Sequence, residues 1–157
     1  MYHQPLSSST SSRAPGILLG VGLGGLVDGI LLHQILHWHN MGSTRLPPVT
    51  MDAVRSNMQW DGLFHAGVWL LTVTGVYLLL RDAHQGRTLP SRRAFTGQLL
   101  VGWAGFNLIE GVIDHHLLQL HHVRDLPLHV PLYDWLFLLI GGLGLMLVGW
   151  HLSRRPL

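Results

Sequence analysis

A helix that crosses a bilayer needs about 20 consecutive apolar residues, and four runs in this chain of 157 residues reach that length. They are about Ile17 to His39, Asp61 to Leu80, Phe95 to Leu118 and Leu132 to Leu152. Each is rich in Leu, Val and Gly and lacks the polar stripe at period 3.6 that marks a soluble helix. Charged residues make up 11% of the chain, against ~25% in an average soluble domain. The expected fold is all-α, a polytopic membrane four-helix bundle occupying residues 17–152. The Ser-rich head, residues 1–16, is read as a mobile cytoplasmic tail, and residues 153–157 as a second. The stretch from Ile17 to Val27 has the length of a signal-peptide core. No Ala-x-Ala site follows it and Asp28 interrupts it, so it is read as the start of the first span.

Cysteine is absent, which removes disulfides, zinc–thiolate sites, iron–sulfur clusters and cysteine nucleophiles together. The formal charge of +2 is too small, and the arginines too scattered, for a nucleic-acid binder. Every basic residue is Arg. Arg13, Arg81, Arg87, Arg92, Arg93, Arg154 and Arg155 fall on one side of the spans; Arg45, Arg55 and Arg124 fall on the other. The positive-inside rule then places both termini in the cytoplasm of a multi-pass protein of a bacterial inner membrane, with the lipid bilayer as its first partner.

The twelve histidines are the unusual feature. His33, His37, His39, His65, His115, His116, His121, His122 and His129 all lie toward the outer face, and only His3, His84 and His151 toward the inner one. They also repeat. Asp28-Gly29-x-x-x-His33, followed six residues later by His39, matches Glu110-Gly111-x-x-x-His115 followed by His121, and Asn40 matches His122. Trp60-Asp61-Gly62-Leu63-Phe64 matches Tyr133-Asp134-Trp135-Leu136-Phe137. The pattern predicts two parallel two-helix repeats about an axis along the membrane normal, with equivalent ligands at one depth.

Asp28 lies ~16 Å into the first span at 1.5 Å per residue, and Glu110 lies at a similar depth in the third. An acid near the bilayer centre costs about 2.5–3.5 kcal/mol on insertion scales, so both need a proton, a partner or a metal. On an α-helical wheel Asp28 and His39 lie ~20° apart, and Glu110, Asp114 and His121 share a face. His33 with His37, and Asp61 with His65, are pairs at i, i+4 that project together. The expected metal ligands are Asp28, His33, His39, Asp61, His65, Glu110, Asp114, His115, His121 and His122. Imidazole and carboxylate without thiolate suit a transition metal such as Fe, Cu or Zn. Haem held by His33 and His115 is a less favoured cofactor, since so many carboxylates crowd the pocket. Met41, Met51 and Met58 in the outer loop offer a weak thioether signal for copper. His129 is read as a solvent-facing loop residue.

Gly20-Val21-Gly22-Leu23-Gly24-Gly25 fits a dinucleotide fingerprint, yet it follows no strand and lies within a span. Gly16, Gly20 and Gly24 are read instead as small-x-x-x-small steps for close helix packing, which also permits a homodimer. Trp38, Trp60 and Trp135 sit where interfacial belt residues are expected.

The Gly-rich start, Asp28-Gly29-Ile30-Leu31-Leu32-His33-Gln34-Ile35-Leu36, Trp38-His39, Trp60-Asp61-Gly62-Leu63-Phe64-His65, Phe106-Asn107-Leu108-Ile109-Glu110-Gly111 and His121-His122-Val123 together resemble a bacterial membrane-protein family. It is catalogued as domain of unknown function 2243, and the resemblance spans about Gly16 to Leu152. The resemblance implies four spans and no assigned activity. It implies a respiratory oxidase or its copper-assembly factors as partners. In the family pattern Gln stands at the position of His37 and His at that of Asn40, which favours His33, His39, His65, His115, His121 and His122 as ligands over His37. The function expected is metal-dependent redox chemistry or metal insertion into a respiratory oxidase. The alternatives are a metal-ion or proton transporter and a scaffold subunit without chemistry.

Overall fold

The computed structural model describes residues 10–154, and among these it is all-helical, with four helices and no strand. Helix α1 runs Ala14–Ile35, α2 Met51–His84, and α4 Pro131–Ser153. Helix α3 runs Arg92–Glu110 and continues with π-helical winding through Gly111–Leu117. Three of them, α1, α2 and α4, are long and apolar enough to cross a membrane. Helix α3 is more polar because Gln98, Asn107, Glu110 and Asp114 interrupt its apolar run. Thr50 and Ser91 start α2 and α3 by accepting the amides of Ala53 and Ala94, and Pro15 and Pro131 sit in the first turns of α1 and α4, where no amide donor is needed.

Helices α1 and α3 form the central pair, with α2 against α1 and α4 against α3. The central pair meets backbone to backbone. A Cβ on Gly20 would collide with the carbonyl oxygen of Leu99 and lie 3.0 Å from the Cα of Gly102; a Cβ on Gly102 would collide with the carbonyl oxygen of Ile17. The small-residue steps therefore serve the packing expected of them. Large apolar side chains such as Leu70, Tyr77, Ile140 and Leu147 face outward, the arrangement of a bundle whose surroundings are themselves apolar.

At one end of the bundle the N-terminal segment is tied to the α2–α3 connection. Thr10 bridges Thr88, and the Ser11 hydroxyl donates to Asp82 at 2.7 Å. Met1–Ser9, with His3 and most of the head read as a tail, and the residues numbered 155–157 lie outside the described residues. Asp82 is fully buried and also takes Arg87 at 3.0 Å and Arg81 at 3.3 Å. The Ser11 hydrogen bond and the two guanidinium groups hold its carboxyl below the ordinary aspartate range. A carboxyl lowered in the folded state contributes stability above its unfolded value and loses it as pH falls through the folded one. Acidification through that window is expected to release Thr10–Arg13, and Asp82→Ala to release it at neutral pH. Proteolytic cleavage between Thr10 and Ala14 reads both; equal resistance in wild type and variant would refute the tether.

At the other end the helices change winding. Asp28–Ile35, Gly111–Leu117 and Phe137–Gly144 are π-helical, a form that collects at functional sites. The amide of Leu36 bonds the carbonyl of Leu31 at 2.9 Å, and that of Leu118 bonds Ile113 at 2.7 Å. His37 and Gln119 then adopt left-handed backbones, with φ of 50° and 49°. So α1 ends at Ile35, before the His39 at which the apolar run stops. His33 and His37 do not project together as an α-helical i, i+4 pair: His33 is buried and His37 exposed.

Candidate metal centre

The candidate donor residues come from the two π-helical ends and the segments that follow them. The bends at His37 and Gln119 turn the chain back, so His39 and His121, beyond the helices, point into the bundle. His33, His39, His115 and His121 are each at most 2% exposed, and Asp28, Asp61, Glu110 and Asp134 at most 6%. Asp28, His33 and His39 form one group whose donor atoms all lie within 4.8 Å of one another; His39, Glu110 and His121 form a second. His39 belongs to both, so these five side chains make one buried cluster.

Its nitrogen atoms are oriented by the backbone. A carbonyl only accepts, so His39 Nδ1 donates to Val123 at 3.0 Å and His121 Nδ1 donates to Met41 at 3.2 Å. The Nε2 lone pairs then face the acids. His39 Nε2 lies 3.8 Å from Asp28 Oδ2, and His121 Nε2 lies 3.4 Å from Glu110 Oε1. His33 lies between two acids, with Nε2 3.2 Å from Asp28 and Nδ1 3.1 Å from Asp61. Asp61 is itself held by the Met41 amide at 2.9 Å and the Asn40 side-chain amide at 2.7 Å.

Asp28 Oδ2, Glu110 Oε2, His39 Nε2 and both nitrogens of His33 and His115 are buried without an aligned hydrogen-bond partner. A buried polar group left unmet costs about 1–3 kcal/mol, more when charged. Gathered in one place, these groups could hold a metal ion. The donor set could hold a transition metal: His39 and His121, fixed at Nδ1 by backbone carbonyls and offering Nε2, are held as ligating histidines normally are.

The remaining sequence candidates take other places. His65 donates Nδ1 to the Asp61 carbonyl at 2.7 Å and covers Gly29, its ring 6.4 Å from that of His33. His115 lies beside the cluster, its ring 5.0 Å from His121 and Nδ1 3.5 Å from Asp134. His122 belongs to a separate group with His129 and Asp134. Asp114 is half-buried, lining a cavity of about 210 Å³ with Glu110 and Phe106. Asp134 and His129 were not in the expected ligand set; the match of Tyr133-Asp134 to Trp60-Asp61 was the signal that could have placed Asp134 there. Met51 and Met58 are exposed, and Met41 offers the site its backbone.

A family described as predicted membrane protein, DUF2243, matches residues 15–156. No curated protein and no solved structure matches.

Proposed function

The chain belongs to this family of predicted membrane proteins, and on that premise we propose that it is a resident-metal protein performing metal-dependent redox chemistry at the outer face of a bacterial inner membrane. The observation that carries the reading is the pair His39 and His121. Each has Nδ1 spent on a backbone carbonyl of the opposite half of the chain, and each aims Nε2 at a buried carboxylate.

Asp28, His33, His39, Glu110 and His121 are the proposed ligands; Asp61 and Asp134 orient His33 and His115. Three imidazoles and two carboxylates exceed the four positions of a structural zinc site and match iron better than copper, for which no thioether converges. Haem held by His33 and His115 is disfavoured because the rings of His39 and His121 lie close to both, 4.4 and 6.1 Å from His33 and 6.5 and 5.0 Å from His115, and take up the space a macrocycle would need. The metal, when bound, supplies the one-electron change. The chain's part is to hold it at fixed geometry and to admit a reactant through the cavity of about 320 Å³ beside His33 and Asp61.

The two-repeat reading is supported by equivalent hydrogen bonds in the two halves. Leu126 N bonds the Trp38 carbonyl and Thr44 N bonds the Leu120 carbonyl, a crossed pair related by a shift of 82 residues, while Met41 N bonds Asp61 as Val123 N bonds Asp134 within each half. We take α3 as the fourth span because it pairs with α1 along the bundle. The Arg-rich end is then cytoplasmic. A through-path for transport is disfavoured: α1 and α3 touch at Gly20 and Gly102, and neither carries an ionisable group from there to the cluster. A scaffold without chemistry has no use for the unmet donors. Delivery of the metal to a respiratory oxidase is the less favoured version, since five donors hold an ion rather than pass it on.

The test is purification in mild detergent, without a His tag or added metal, followed by mass spectrometry of bound metals and visible spectra before and after dithionite. One equivalent of iron or copper, with a spectrum that changes on reduction, is expected. Zinc alone, or a metal-loaded protein silent in both states, overturns the redox function. A protein that neither carries nor takes up metal overturns the centre.

A further inference from the structure

We propose a second transition-metal site at the rim of the bundle, formed by His122 Nδ1, His129 Nε2 and Asp134 Oδ2, and accessible to solvent where the first is not. The three donor atoms lie within 4.8 Å of one another. Oδ2 of Asp134 lies 3.0 Å from His122 Nδ1 and 3.2 Å from His129 Nε2. The two rings stack with centroids 3.9 Å apart and an interplanar angle of 16°, so both imidazoles present an edge to the same oxygen. The His129 side chain is 40% exposed and that of His122 15%, while His122 Nδ1 itself is buried without an aligned hydrogen-bond partner. Two imidazoles and one carboxylate leave coordination positions open, which suits exchange of a divalent ion such as Zn²⁺, Fe²⁺, Co²⁺ or Cu²⁺.

The other half of the chain is an internal control. Asp61 and Asp134 both receive a backbone amide on Oδ1, from Met41 at 2.9 Å and Val123 at 2.8 Å. Each also faces the Nδ1 of a buried histidine, His33 or His115. They differ at Oδ2. In the first half Asn40 caps it at 2.7 Å, a donor that binds no metal and completes the carboxylate. In the second half the residue corresponding to Asn40 is His122, and His129 joins it. Holding a carboxylate in place needs no more than the amide, so the imidazole pair has a use beyond support.

Asp134 then has two faces. Oδ2 takes part in the rim site and Oδ1 faces His115, whose ring lies 5.0 Å from His121 in the buried cluster. Side chains able to bind metal thus run from the solvent-exposed His129 through Asp134 and His115 to His121. The rim site is placed to load the buried centre, and this loading role rests on the function proposed above; the rim site itself does not.

Cobalt(II) is the probe, titrated into the full untagged chain in detergent after its resident metal has been removed with a chelator, and followed by its visible d–d bands and by equilibrium dialysis. Wild type is expected to bind two equivalents. His129→Ala, at an exposed loop position, should keep the tightly held equivalent and lose the other; His129→Gln should behave alike, and His39→Ala should show the reverse pattern. Loading of the buried site should slow in His129→Ala without a change in its final extent. Unchanged stoichiometry and affinity in both His129 variants overturns the rim site. A rim equivalent lost in His129→Ala but kept in His39→Ala, with no second equivalent in wild type, upholds the rim site and overturns the buried centre. Equal loading rates overturn the loading role alone.

Discussion

Replacing His39 with alanine is expected to empty the buried centre. His39 is the one side chain common to both donor groups, and its loss leaves Asp28 facing Glu110 with a single imidazole on each side. The expected outcome is no retained metal after purification, read by mass spectrometry, with the helical signal intact. Asp61→Asn should act more mildly. It keeps the contact to the Met41 amide but gives up the carboxylate that orients His33 at 3.1 Å, and loss of such a partner typically weakens metal binding about 10–100-fold. Metal retained at wild-type affinity in both variants would place the centre elsewhere.

Gly20→Val and Gly102→Val are expected to yield no folded protein. Overpacking of a core costs about 1–3 kcal/mol where neighbours can adjust. Here the added atoms meet the carbonyl oxygens of Leu99 and Ile17, which cannot rotate away because they belong to helical backbone. The central helices would have to part, and the donors they carry would part with them. A native state stable by about 5–15 kcal/mol has little margin for that. Gly67→Ala is the matched control, since nothing lies within 4 Å of an added Cβ there, and replacing a mid-helix glycine by alanine gains roughly 0.5–1 kcal/mol. Thermal unfolding in detergent separates the two; a Gly20→Val protein that melts like wild type would refute the close α1–α3 contact.

Much of the candidate site was legible because imidazoles and carboxylates are rare in apolar runs and their spacing survives folding. Asp28, His33, His39, Glu110, His115 and His121 stood out as polar interruptions at matching intervals, and the structure brings all six to one end of the bundle. The α-helical wheel that related them was a poor guide. It paired His33 with His37, whereas π winding and the left-handed turn at His37 bury the first and expose the second. Asp28 and His39 do meet, but across a bend and not along one helix face. Asp114 shared Glu110's face on that wheel and takes no part in the cluster. His129 looked like a loop residue because its partner, Asp134, is contributed by the next helix, and a contact of that kind has no period to read.

The sequence by itself determined the apolar helices, the glycine contact surfaces and the concentration of imidazole and carboxylate at one end. Each of these follows from local composition and spacing, which set what a segment can bury. Only the tertiary structure decided which nitrogen of His39 and His121 is free, which acids the donors converge on, and that Asp134 stands between His115 and the His122–His129 pair. Those outcomes depend on carbonyls of Val123 and Met41 contributed from across the bundle, and backbone groups carry no identity in the sequence until the chain has folded back upon itself.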